Sequence, residues 1–214
     1  MNKKKAIALS LIIVVACASI LLAVYSSDRH KSGSVGQEVA ISEVDLETVE
    51  DLMIGAEPPK LLYADRERVI FDCRGVYVYD ISSKKLAKAF DTSSLVKDKR
   101  QKPGSFVTGD GKYIIFGASG EGSSSWYAYS FKKDIVKALT EEEYKSYSER
   151  RFICTRLKTY ADELYQKSSG IIANISGDEY IYLTFRDWKV STIEVVYVKG
   201  AAETRYSVFE DNLS

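Results

Sequence analysis

The chain reads as a mainly β (α+β) protein: an N-terminal transmembrane helix, then a domain of three blade-like antiparallel β units with one helical insertion. Three observations predict this. An uncharged apolar run fills Ala6–Tyr25, strand-like segments rich in Tyr, Val and Ile recur at fixed separations, and a capping signal at Thr140 opens the one long stretch with helical spacing. The 214 residues leave room for one ordinary domain or two small ones. With 45% hydrophobic and 28% charged residues, such a chain can build a core.

The run AIALSLIIVVACASILLAVY is about 20 residues long, enough for a helix to cross a hydrocarbon layer of about 30 Å. A signal peptide has a shorter apolar region, about 7–15 residues, closed by a small-x-small site. Here the run passes Ala16 and Ala18 and reaches Tyr25 unbroken, so residues 1–25 are expected to be a retained signal-anchor, with a cleaved signal the alternative. Lys3, Lys4 and Lys5 precede it, and the positive-inside rule keeps them cytoplasmic and places the rest outside the membrane. This short Lys-rich anchor suggests a bacterial cell membrane. Val14-Val15-Ala16-Cys17 also resembles a lipoprotein box, but apolar residues continue beyond Cys17 where lipoproteins turn polar.

Residues 26–55 are expected to be a stalk. SSDRHKSGSVG (Ser26–Gly36) has linker composition, and His30, the chain's one histidine, sits there as a solvated side chain with no ligand partners at useful spacing. From Leu46 the spacing of Val49, Leu52 and Met53 predicts a short amphipathic helix with Ser42 as N-cap, packed on the domain or on a partner. Gly55 and Pro58-Pro59 then set the start of the domain, residues 56–214.

Within it, GVYVYDISSKKLAKAF (Gly75–Phe90) aligns with SWYAYSFKKDIVKAL (Ser125–Leu139): Tyr77 with Tyr127, Tyr79 with Tyr129 and Ile81 with Phe131, all 50 residues apart. Arg68–Phe71 aligns with Tyr113–Phe116 at 45, and the loop Gly117–Ser125 absorbs the difference. A fainter third copy places Asp178–Leu183 on Gly111–Phe116 and Thr192–Val198 on Ser125–Phe131, at 67. Each copy predicts four strands, with turns at Gly109-Asp110-Gly111, Ser82-Ser83 and Gly177-Asp178. In Val76–Tyr79 both faces are apolar or aromatic, which predicts a sheet buried on both sides, as in a propeller blade. Propellers close with about four to eight blades. Three units would need their outer faces capped by residues 38–53, by the helical insertion or by another chain. A plain antiparallel sandwich of hairpins accounts for the same strands.

The insertion spans about residues 140–168. Thr140-Glu141-Glu142-Glu143 is a capping box, and Ile153, Leu157, Tyr160, Ala161, Leu164 and Tyr165 recur at helical spacing before Ser168-Ser169-Gly170 stops the run. One or two helices packed on a sheet are expected.

Signals for chemistry are sparse. The balance of 30 basic and 30 acidic residues gives no reason to expect nucleic acid. The three cysteines are far apart and no HExxH, CxxC or calcium loop occurs, so no metal ligand is assigned. GASGEG (Gly117–Gly122) lacks the Lys-Ser/Thr ending of a P-loop and the strand–GxGxxG–helix setting of a dinucleotide site; no cofactor is assigned. No catalytic residue is assigned either, and the chain is not expected to be an enzyme. Cys73 and Cys154 are weighed as a disulfide or as two separate buried thiols, the latter preferred. Asn174-Ile175-Ser176 fits a glycosylation sequon, which a bacterial origin makes irrelevant. Of the two tryptophans, Trp188 in Arg186-Asp187-Trp188-Lys189 is the aromatic most expected to be exposed.

LLYADRERVIF followed by GVYVYDISSKKL (Leu61–Leu86), extended through DGKYIIF, resembles repeat units in the extracellular part of Gram-positive membrane sensors related to the antirepressor metallopeptidases that detect β-lactams. The chain carries no peptidase motif. What the resemblance implies is an exterior sensing or protein-binding module. The expected function is accordingly a single-span, membrane-anchored extracytoplasmic binding or sensing module for a protein or cell-envelope ligand. The alternatives are an assembly subunit that completes a β-repeat stack with another chain, and an extracytoplasmic hydrolase.

Overall fold

The computed structural model describes residues 38–55, 57–95, 102–120, 123–156 and 168–209. The expected membrane anchor at residues 1–25 and His30 lie outside them. Among the described residues no helix is long and apolar enough to cross a membrane. Glu38–Ser214 forms one compact unit.

The described part of that unit is mainly β. Sheet 1 is the meander β1 (Lys60–Ala64), β2 (Arg68–Asp72), β3 (Val76–Asp80), β4 (Lys85–Phe90). Sheet 2 repeats it with β5 (Lys102–Val107), β6 (Tyr113–Gly120), β7 (Ser123–Ser130) and β8 (Ile135–Leu139). Sheet 3 repeats it again with β10 (Ser168–Ser176), β11 (Glu179–Thr184), β12 (Glu194–Lys199) and β13 (Ala202–Ser207), and the two-residue β9 (Thr155–Arg156) adds a fifth strand beside β10. All pairings are antiparallel.

The repeat extends to backbone detail. Ile81 N–H donates to Glu67 O at 2.8 Å, and Phe131 N–H donates to Lys112 O at 3.3 Å, the same bond one copy on. Lys84 (φ 56°) and Asp134 (φ 52°) end their turns in the same left-handed conformation, 50 residues apart. The expected turns at Ser82-Ser83, Gly109–Gly111 and Gly177-Asp178 each join neighbouring strands.

Sheet 1 is buried on both faces, as Val76–Tyr79 predicted. One face carries Val69, Phe71, Tyr77 and Tyr79 into a core shared with Ile181, Leu183, Ile193 and Val195 of the third copy. The other carries Ile70, Val76, Val78 and Phe90 against Ile114, Phe116 and Tyr129 of sheet 2. A bulge in β1 between Leu61 and Tyr63 breaks the alternation, so Leu62 and Tyr63 both join the second core. The most extensive strand contacts between sheets are those of β1 with β10 and with β5, the first strands of the three meanders.

The outer face of sheet 2 is covered by α1 (Glu141–Ser148). The capping box is present as expected: Thr140 Oγ1 accepts from Glu143 N–H at 3.2 Å, and Glu143 Oε2 accepts from Thr140 N–H at 2.9 Å. Tyr144 stacks on Trp126 with ring centroids 5.1 Å apart, and Tyr147 packs on Tyr113 at 5.3 Å. The second part of the expected helical stripe differs where it is described. Ile153 is 77% exposed and Thr155–Arg156 is a strand on β10, so helical spacing there is overridden by pairing with a sheet edge. Leu157, Tyr160, Ala161, Leu164 and Tyr165 lie outside the described residues.

Residues 38–55 pack on the sheets. Val39 N–H donates to Val136 O in β8 (2.9 Å), Val44 N–H to Ala89 O in β4 (3.1 Å), and Ile54 N–H to Trp188 O (2.8 Å), with Val49 and Ile54 in the core. The segment thereby lines the outer strands of sheets 2 and 1. Its helix is a single 3-10 turn, Leu46–Val49, capped by Asp45 rather than Ser42. Ser42 O instead accepts from Asp91 N–H at 2.8 Å, which holds that residue in extended pairing.

Candidate functional site

Where β1 meets β5, two adjoining cavities of about 290 and 370 Å³ share Lys60 and Ser105 in their walls. Hairpin register places Lys60 directly across from Asp72, so the ends of β1 and β2 supply an ammonium and a carboxyl side by side. Ser105 comes from the middle of β5. The larger cavity adds Glu57, Asp72 and Arg74 and is therefore lined by charges of both signs. The smaller is mostly apolar, walled by Leu61, Phe152 and Ile171, with Arg151 also in its lining.

Burial raises the Asp72 carboxyl above the ordinary carboxylate range, against the opposing pull of Lys60 and the Ser105 hydroxyl. Among the described residues no ion pair closes on Lys60, Asp72 or Arg74. Ser105 is only 7% exposed, and its Oγ makes no hydrogen bond of acceptable geometry, although it stands near enough to Asp72 to favour the ionised form. A buried hydroxyl left without a partner costs about 1–3 kcal/mol.

The cysteines of this region are free thiols, as preferred over a disulfide. Cys73 lines the larger cavity and Cys154 the smaller. Burial pushes each thiol up to about 12, so neither is a thiolate nucleophile at neutral pH. Cys154 Sγ donates to Leu61 O at 3.4 Å. No group of three metal-ligating side chains forms among the described residues.

A second feature lies at the end of sheet 3. Trp188 is 48% exposed, and Met53, on the segment paired to it, is 49% exposed. Trp188 and Asp187 occupy a turn closed by Lys189 N–H donating to Arg186 O at 3.1 Å, and both have φ of 53°. Left-handed backbone costs a bulky residue roughly 1–2 kcal/mol, so this tryptophan is held up against its own preference. Thr192 Oγ1 makes the clasp, accepting from Arg186 N–H at 2.9 Å and bonding the carbonyls of Lys189 and Arg186; the Trp188 ring leans on Phe185, 5.1 Å away.

Trp126, by contrast, is consumed by packing under α1. Lys60, Asp72 and Ser105 carry no local motif. Folding Leu61–Phe71 about its Asp65–Glu67 turn would have paired Lys60 with Asp72, but the approach of Ser105 depends on sheet stacking. Comparisons with protein-family models, curated proteins and solved structures find no match.

Proposed function

We propose that this chain is a single-span, membrane-anchored extracytoplasmic binding or sensing module. Its three meanders act as blade-like units, a reading supported by the approach of β1 to β5 and to β10, the first strands of the other two meanders. The apolar run Ala6–Tyr25 behind Lys3–Lys5 supports the anchor and its direction. The observation that carries the binding role is the Trp188 turn: an aromatic held half-exposed in strained backbone, clasped by Thr192 and flanked by exposed Met53. Strain of this kind collects at recognition and catalytic sites, and exposed Trp is a common interface anchor. The partner is a protein or cell-envelope component that receives the indole.

A photo-crosslinking residue at Met53 of the full chain, in native membranes, tests this. A discrete adduct is expected, lost in Trp188→Ala and absent when the crosslinker replaces Lys84 in the β3–β4 turn. An adduct indifferent to Trp188→Ala, or none, overturns the reading. Protease added outside intact cells should digest the 38–214 unit; full protection would sink the exterior placement.

A further inference from the structure

We propose that the paired cavities between β1 and β5 bind a zwitterionic α-amino acid with an apolar side chain, a site independent of the Trp188 surface. Charge and shape both point to it. The larger cavity offers Lys60 and Arg74 to a carboxylate, and Asp72 and Glu57 to an ammonium. The smaller adjoins it through Lys60 and Ser105, and its Leu61, Phe152 and Ile171 walls suit an aliphatic or aromatic side chain. Volumes of about 290 and 370 Å³ are on the scale of one residue in each compartment with water to spare.

Ser105 supplies the second, independent observation. Its side chain is more than nine-tenths buried, lies in the wall common to both cavities, and has an unpartnered Oγ. A hydroxyl can donate to a carboxylate or accept from an ammonium, so it suits either end of a zwitterion. An ordinary anion site would not keep two carboxyls among its walls, and an ordinary cation site would not keep the three cations Lys60, Arg74 and Arg151. A ligand carrying both charges about one Cα apart is the chemistry that satisfies all of them. Neither thiol takes part in bond making, and no covalent step is involved.

Calorimetric titration of the full chain in detergent micelles tests the proposal with four probes: leucine, N-acetyl-leucine, leucinamide and glutamate. Leucine should bind, while the acetylated and amidated forms, each lacking one charge, and glutamate, with a polar side chain, bind at least tenfold more weakly. Ser105→Ala should weaken leucine about tenfold with the thermal transition retained. No binding of leucine at 10 mM (a test concentration on the order of the weakest useful affinity), or equal binding of the blocked analogues, overturns the proposal. The analogue comparison uses the unaltered protein and does not depend on any variant folding.

Discussion

Glu179 shows how a single side chain joins two sheets. It is 4% exposed, yet what covers it is its own counter-ions: Arg66 from the β1–β2 turn at 2.9 Å and Lys199 from β12 at 3.0 Å. Hydrogen bonds from these two cations pull its carboxyl down to about 2, from an ordinary value near 4.5. A depressed carboxylate stabilises the fold above its unfolded pKa and loses that contribution as pH falls through the folded one. Glu179→Gln should therefore melt below the parent at pH 7, with the gap narrowing from about pH 5 toward pH 2 in pH-resolved thermal scans. An unchanged gap at both ends of that range would remove the ion cluster from the account. Nothing in the sequence around Glu179 marks it: Asp178 beside it looks equally suited to pairing, and the choice depends on Arg66, 113 residues away. The charged walls of the β1–β5 cavities were hidden for the same reason, since Ser105 reaches Lys60 through stacking and not through chain neighbourhood.

At the scale of elements, α1 is an example of local instruction agreeing with tertiary need. Its capping box is written in four consecutive residues, and acidic first-turn residues Glu141–Glu143 complement the helix dipole. None of its eight residues is fully buried, so packing on sheet 2 rests on Tyr144 and Tyr147 lying across Trp126, Phe106 and Tyr113. A helix this short is marginal without its cap. Thr140→Ala should cost about 1 kcal/mol and loosen the helix from the sheet. The readout is Trp126: its fluorescence and near-ultraviolet dichroism should shift toward those of a solvated indole, while far-ultraviolet strand signal stays. Retention of the Trp126 signal would show that the aromatic contacts suffice without the cap. The strand elements were legible for another reason. Tyr, Val and Ile fill them, and the first two copies share a four-residue turn that ends on the left-handed residues Lys84 and Asp134. Ile153 was misleading because helical spacing over a few residues carries no information about a neighbouring strand edge, and β10 supplied one.

For the whole unit, the order of layers makes sheet 1 the structural centre. It packs against another sheet on each of its two faces, with Val69, Ile70, Phe71, Val76 and Tyr77 all at zero exposure. Each such side chain contributes about 1.5–3 kcal/mol on burial, and those of β2 and β3 face two different neighbours. Amides of β2 and β3 should be the slowest to exchange with deuterium in the full chain, with β13 among the fastest because its residues Ala202–Arg205 are exposed at a sheet edge. Uniform protection across the three sheets would deny the central role. Edge strand β13 is also guarded by charge, with Glu203 and Arg205 pairing with each other at 2.7 Å and Arg205 with Glu194 at 3.1 Å, which discourages strand addition there. By itself the sequence determined the strand-turn-strand rhythm, its threefold recurrence, the two-sided burial of the first copy and the start of α1, because each of these depends on residues close together in the chain. Only the tertiary structure decided that sheet 1 lies between the other two, that residues 38–55 bind across them, and that Lys60, Asp72 and Ser105 share a cavity wall. Those relations depend on which apolar faces fit one another over long separations, and alternation within a strand does not say which neighbour its face will meet.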